Sequence, residues 1–160
     1  MDERLTEAVA KLEIAEMQAR YEWAIDEGRV DELRPLFDEA AVLTLEPGGT
    51  NLQGSAAIMA WFNEYCHEWG WSNRRHYITN VQSVVTGDVA RCRAYFLLTF
   101  EARGKARIGW GNYDDTLERR GEGWVFTAKH IRSTAPVALE RGWAGATLEA
   151  SSDFWHEGAR

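Results

Sequence analysis

Apolar positions recur at helical spacing from Leu5 to about Glu27 and fall on two sides of the projected helix. Ile14, Met17, Tyr21, Ala24 and Ile25 share one side; Leu5, Val9, Leu12, Ala19 and Trp23 share the other. A helix apolar on two sides is expected to lie between layers. Gly28 suits the residue just past its end, where a left-handed backbone is required. The stretch VDELRPLF predicts a short helix, with Pro35 either in its first turn or bending it. AAVLTLE then reads as a strand, PGGTN as a turn and LQG as a short returning strand. Residues 55–69 predict a third helix, with Ser55 as its N-cap and Ile58, Trp61, Phe62 and Tyr65 as its apolar stripe.

The pattern then changes period. Four long alternating segments follow, at 75–85, 89–102, 106–119 and 123–134, separated by GD, RGK and RGEG turns. Helices first and a long antiparallel meander afterwards predict an α+β fold. Strands this long twist strongly, so the sheet is expected to curl around the helices as an open cone with a small-molecule pocket inside. The predicted domain spans residues 1–135. A tail, 136–160, carries Trp143, Leu148, Phe154 and Trp155 and is expected to pack on the domain or on a second copy.

Composition narrows the function more than the fold. The net charge of −7 and the lack of a clustered basic face exclude nucleic acid as a partner. No stretch has the eighteen consecutive apolar residues of a membrane span, and the charged start lacks the pattern of a secretory signal. Two distant cysteines, Cys66 and Cys92, fit a reducing cytoplasm. Aromatic residues make up 12% of the chain, which suits either a densely packed core or a pocket for a flat, apolar ligand.

Two residues carry the candidate chemistry. Asp26 falls in the last turn of the first helix, where its charge opposes the negative end of the helix dipole. A partner should compensate, and His76, behind two arginines in SNRRHYITN, is the candidate. A carboxylate bound to one ring nitrogen fixes the tautomer and raises the basicity of the other nitrogen. Such an imidazole can take a proton from substrate and return it to a leaving group. The plainer alternatives are a solvated Asp at a helix exit and a packing His in a strand. Metal-ligand spacing is absent, since Cys66, His67 and Glu68 are adjacent and point in different directions on a helix. GWGNYD is too short for a dinucleotide loop, and no Ser or Cys sits in a nucleophile motif.

The stretches YEWAIDEGRVDELRPLFDEAAVLTL, LQGSAAIMAWF, RRHYITNVQ and GNYDDTLERRGEGWVF, in this order, resemble the SnoaL-like branch of the nuclear transport factor 2-like superfamily. The resemblance runs from about Leu12 to Ser133. It implies three N-terminal helices in the concave face of a curved, mainly antiparallel sheet, and a homo-oligomer, often a dimer. The stretch around YEWAID is most similar to scytalone dehydratase and hexachlorocyclohexane dehydrochlorinase. That similarity implies a cofactor-free elimination with His76 as general base and Asp26 as its partner. It matches Lys129 to a cation that helps a leaving anion, and Tyr21 to a polar pocket residue. By strand alternation Lys129 shares a face with Val125, Thr127, Ile131 and Ser133, and is either inside the cone or a rim lysine. Tyr21 is alternatively a core residue beside Met17 and Ala24, and Tyr113 is placed at the pocket by its alternation with Gly109 and Gly111. The second histidine of scytalone dehydratase has no counterpart. The expectation is a lyase or dehydratase acting on a small aromatic or polycyclic alcohol, without cofactor or metal. Retro-aldol carbon–carbon cleavage, isomerisation and polyketide cyclisation use the same pair. A non-catalytic ligand-binding cone, or one like a dioxygenase β subunit, would need no such pair.

Overall fold

The structure, a computed structural model, describes residues 3–134 and 136–139. The first helix, α1 (Glu3–Asp26), is followed by α2 (Val30–Leu33), a 3₁₀ turn (Arg34–Leu36), β1 (Phe37–Glu46), β2 (Thr50–Gln53) and α3 (Ser55–His67). Four long strands come next: β3 (Trp71–Thr86), β4 (Val89–Ala102), β5 (Lys105–Arg120) and β6 (Gly123–Ser133). A two-residue β7 (Val137–Ala138) closes the described chain. The sheet runs β2-β1-β6-β5-β4-β3, with β7 pairing β5 beyond the end of β6. All pairs are antiparallel except β1 with β6, and the curved sheet stays open. This is the expected α+β cone.

The helix α1 has no Gly or Pro in 24 residues and is rich in strong helix formers. It ends in a Schellman motif: Arg29 N–H donates to the Ala24 carbonyl at 2.8 Å and Gly28 N–H to that of Ile25 at 3.1 Å, with Gly28 at φ +70°. Its buried side holds Ala10, Ile14, Met17, Tyr21, Ala24 and Ile25, which pack against the concave sheet with α3. The expectation of two covered sides does not hold within this chain. Leu5, Val9, Leu12, Ala19 and Trp23 are exposed, Leu12 by 72% and Trp23 by 58%, because the sheet can cover only one side of a helix lying across it.

Three local expectations are also corrected. The N-cap of α3 is Gly54, not Ser55; its φ of 84° suits glycine, and its carbonyl accepts from Ile58 N–H at 3.2 Å. The VDELRPLF helix is split, with Pro35 opening the 3₁₀ turn. Val125 and Thr127 do not share a face with Lys129. Thr127 is an extra residue between the pairs Phe126↔Leu117 and Ala128↔Thr116, so Trp124 and Phe126 point inward with Lys129, Ile131 and Ser133. Cys66 and Cys92 are free thiols. Trp143, Leu148, Phe154 and Trp155 lie outside the described residues.

Candidate active site

A bulge in β3 turns His76 inward. Trp71 faces the core, and strict alternation from it would point Arg74 and His76 to solvent. Asn73 instead adopts a left-handed φ of 54°, and two residues of β3 stand opposite one of β4 between the pairs Ser72↔Glu101 and Arg75↔Thr99. The phase of the strand shifts, and Arg74, His76 and Ile78 all face inward. His76 is therefore the sixth residue of β3, inside the cone, and not at the strand's start.

The buried end of α1 meets it there. Asp26 Oδ1 lies 2.7 Å from His76 Nδ1, and Asp26 Oδ2 accepts from the His76 backbone N–H at 2.8 Å. Both carboxylate oxygens are thus used on one residue, which fixes position as well as tautomer. With Nδ1–H donated to Asp26, the lone pair sits on Nε2 of a ring that lines the cavity. Burial disfavours the imidazolium, but the charge of Glu22 and the hydrogen bond and charge of Asp26 outweigh it. His76 accordingly titrates above its ordinary value.

Arg74 holds the two helices to this strand. Its Nη1 donates to the Tyr65 carbonyl at 2.8 Å, and its Nη2 reaches the carbonyls of Cys66 at 3.2 Å and Ile25 at 3.3 Å. The guanidinium also lies 4.9 Å from the centre of the Tyr65 ring. One planar fork satisfies carbonyls at the C-terminal ends of both α1 and α3, where a cation also complements the helix dipoles.

The cavity is narrow, with about 40 Å³ open to the centre of a water-sized sphere. Trp61, Phe62, Tyr65, Phe96 and Trp110 give it aromatic walls, and Pro136, leading into β7, closes one side over Gly109. Tyr21, Tyr113 and His76 supply polar groups. Burial pushes both tyrosine hydroxyls well above their ordinary range, so each stays protonated and can donate. Ser133 also lines the cavity, and its Oγ has no partner among the described residues.

Lys129 lies elsewhere. Its ammonium is fully buried beneath the cavity, 2.9 Å from Asp115 Oδ2, and Gln18 Nε2 donates to the same oxygen at 2.6 Å. It contacts the ring faces of Tyr113, Tyr21 and Phe126 at 3.9, 4.2 and 4.5 Å. No group of three or more His, Cys, Asp and Glu side chains is arranged to hold a metal ion among the described residues.

The model of the SnoaL-like domain matches residues 6–130. The chain belongs to the SnoaL-like family. Solved structures extend the comparison. A protein provisionally assigned as an aromatic ring hydroxylase from Novosphingobium aromaticivorans is 28% identical, with a TM-score of 0.71, over 78% of this chain and 88% of that one. Two others share the fold at lower identity. A provisional scytalone dehydratase from the same organism has 22% identity and a TM-score of 0.73, over 84% and 89% of the two chains. A type 2 hexachlorocyclohexane dehydrochlorinase has 19% identity and a TM-score of 0.73, over 85% and 90%. No curated protein matches the sequence.

Within this SnoaL-like chain the structure brings together Asp26, His76, Tyr21 and Tyr113, and sets Lys129 behind the two tyrosines. Sequence reasoning missed Glu22, Arg74 and Ser133. Glu22 had a readable signal, a charged residue beside Tyr21 and Ile25 on the apolar side of α1, four residues before Asp26. Ser133 had one in its alternation with Lys129 and Ile131, and Arg74 had none, since a bulge sets the phase of its strand.

Proposed function

We propose that this SnoaL-like protein is a cofactor-independent lyase of the dehydratase type, acting on a small aromatic or polycyclic alcohol. The observation that carries the reading is the 2.7 Å Asp26–His76 pair with its ring at an aromatic-walled cavity. His76 Nε2 removes a proton from a carbon next to the one bearing the hydroxyl, and Asp26 holds the resulting imidazolium. The departing oxygen takes that proton back and leaves as water, while the carbon lone pair becomes a double bond conjugated with the substrate ring. Tyr21 and Tyr113 donate hydrogen bonds to a substrate oxygen. Lys129 acts on substrate only through them, its charge under their rings making both hydroxyls better donors. The fold shared with a provisional scytalone dehydratase and a hexachlorocyclohexane dehydrochlorinase is in keeping with an elimination.

The test is a screen of aromatic alcohols and diaryl compounds with the purified protein, following new ultraviolet absorbance from extended conjugation and, in parallel, formaldehyde release. On an active substrate, His76→Ala is expected to lower turnover at least about a hundredfold. Asp26→Asn should be comparably severe, and the double variant little worse than the poorer single one. A folded His76→Ala protein with near-normal turnover would refute the assignment. Formaldehyde in place of the dehydration product would keep the pair and change the reaction to carbon–carbon cleavage.

A further inference from the structure

A second carboxylate stands at the same edge of the imidazole. Glu22 and Asp26 are one helical turn apart on the buried side of α1. Glu22 Oε2 is 3.6 Å from His76 Nδ1, next to the 2.7 Å contact from Asp26, and its side chain is only 6% exposed. Neither Glu22 oxygen has a partner in hydrogen-bond geometry among the described residues. The Tyr113 hydroxyl is close enough to act on it, but does not complete such a bond. Asp26, by contrast, is anchored by two short contacts. A buried carboxylate without donors is costly when ionised and readily accommodated when neutral.

Two arrangements of one proton are open to the cluster. With the proton on Glu22 and His76 neutral, the only charge among the three groups is that of Asp26. With the proton on His76, three charges are present in a dry pocket. Glu22 also faces Asp26 along the helix, and two carboxylates this close resist ionising together. Lys129 acts from below in favour of an ionised Glu22, and Arg74 acts on His76 against the imidazolium. Tyr65 of α3 and Tyr21 of α1, both buried, stay protonated beside them.

We propose that Glu22 is the proton-storing carboxylate of this site: it holds a proton while His76 is neutral, and passes that same proton to His76 to become its second counter-ion. Glu22 is thus a positioning residue for charge, acting through His76 and not on substrate. The net charge of Asp26, His76 and Glu22 is the same in both arrangements, so the proton moves within the cluster without bringing a new charge into the cavity. This deepens the reading of His76 as a base, but it concerns the resting protein and can be tested without a substrate.

The experiment is a pH titration of His76 by nuclear magnetic resonance on ring-labelled protein, comparing wild type with Glu22→Gln. Infrared difference spectra of the protonated carboxyl band complete it. Gln keeps the shape of a neutral Glu22 and cannot ionise. A nearby opposite charge shifts a titration by about 1–3 units. The His76 midpoint is therefore expected to fall by about one unit or more in Glu22→Gln, and a neutral-pH carboxyl band of the wild type should vanish. Asp115→Asn should leave that Glu22 band in place, which separates it from the buried carboxyl of Asp115. A midpoint moved by less than about 0.3 units, or no protonated Glu22 at neutral pH, would overturn the proposal. If Glu22→Gln does not fold, the infrared band of wild type against Asp115→Asn decides alone. Failure here leaves Asp26–His76 catalysis standing, and an inactive screen leaves the shared proton standing.

Discussion

Replacing Lys129 with Met tests what the buried ion pair contributes. Met preserves most of the stem and its contacts with Tyr21, Tyr113 and Phe126, but leaves Asp115 without a counter-ion. Both side chains are 0% exposed, so solvent does not screen the loss. Removing one member of a buried pair costs about 3–5 kcal/mol, most of it the stranded charge. A domain of this size is stable by only about 5–15 kcal/mol, and each kcal/mol is worth about 2–4 °C in melting temperature. The expected drop is roughly 6–20 °C. Removing both charges should undo it: Lys129→Met with Asp115→Asn keeps an acceptor for Gln18 and should return to within about 1 kcal/mol of wild type. The pH dependence is a second check. Burial already raises the Asp115 carboxyl above its ordinary value, and without Lys129 it rises further. The folded variant then binds a proton that the unfolded chain releases, so its deficit should narrow as pH falls. Urea unfolding of the single and double variants between pH 5 and 8 measures this. A single variant that loses less than about 1 kcal/mol at pH 7, or a double variant no more stable than the single, would refute the reasoning.

Three further outcomes follow from the geometry. Because His76 titrates above its ordinary value of about 6.5, its imidazolium stabilises the fold fully below that pH. The contribution is lost as pH rises through the raised value. Urea midpoints from pH 6 to 9 should show this loss in wild type and not in His76→Gln. Gly111→Ala should destabilise by more than about 3 kcal/mol, since the new Cβ would land on the Arg132 carbonyl oxygen and within 2.7 Å of Phe96 Cζ. Gly109→Ala, where the nearest atom is Pro136 Cγ at 3.3 Å, should be tolerated and narrow the cavity; chemical denaturation separates the two. Tyr77, Val84, Val89 and Tyr95 stand exposed on the outer face of β3 and β4. We expect the chain to self-associate through this face, and light scattering that gave 18.2 kDa at micromolar concentration would count against it.

Much of the architecture could be read from period alone. The long helix, its glycine exit and the four alternating segments are local properties, set by side-chain spacing and by backbone preference at Gly28. The contact between Asp26 and His76, fifty residues apart, follows from the family resemblance; the need of a helix-end carboxylate for a partner only points towards it. Reading failed wherever the phase of a strand changed. The bulge at Asn73 is what turns Arg74 and His76 inward, and the bulge at Thr127 decides which β6 residues accompany Lys129. Each hinges on one residue's backbone conformation, which a count in twos does not detect. The two-sided pattern of α1 also could not say which side one chain covers. Glu22 was passed over because a lone glutamate in a helix is ordinarily solvated; only the sheet above it makes it buried.

The clasp of Arg74 has a consequence for how long the site exists. Two of its three carbonyl partners, Tyr65 and Cys66, are neighbours at the end of α3, and the third, Ile25, lies 49 residues before Arg74 at the end of α1. Any opening that frees the end of α1 takes Asp26 and Glu22 from His76 and the Ile25 carbonyl from the fork, while α3 keeps its hold on Arg74 and most of the sheet can remain intact. The lifetime of the assembled base is then set by the docking of a single helix end, and partial unfolding there acts as an off-switch well before the molecule as a whole comes apart.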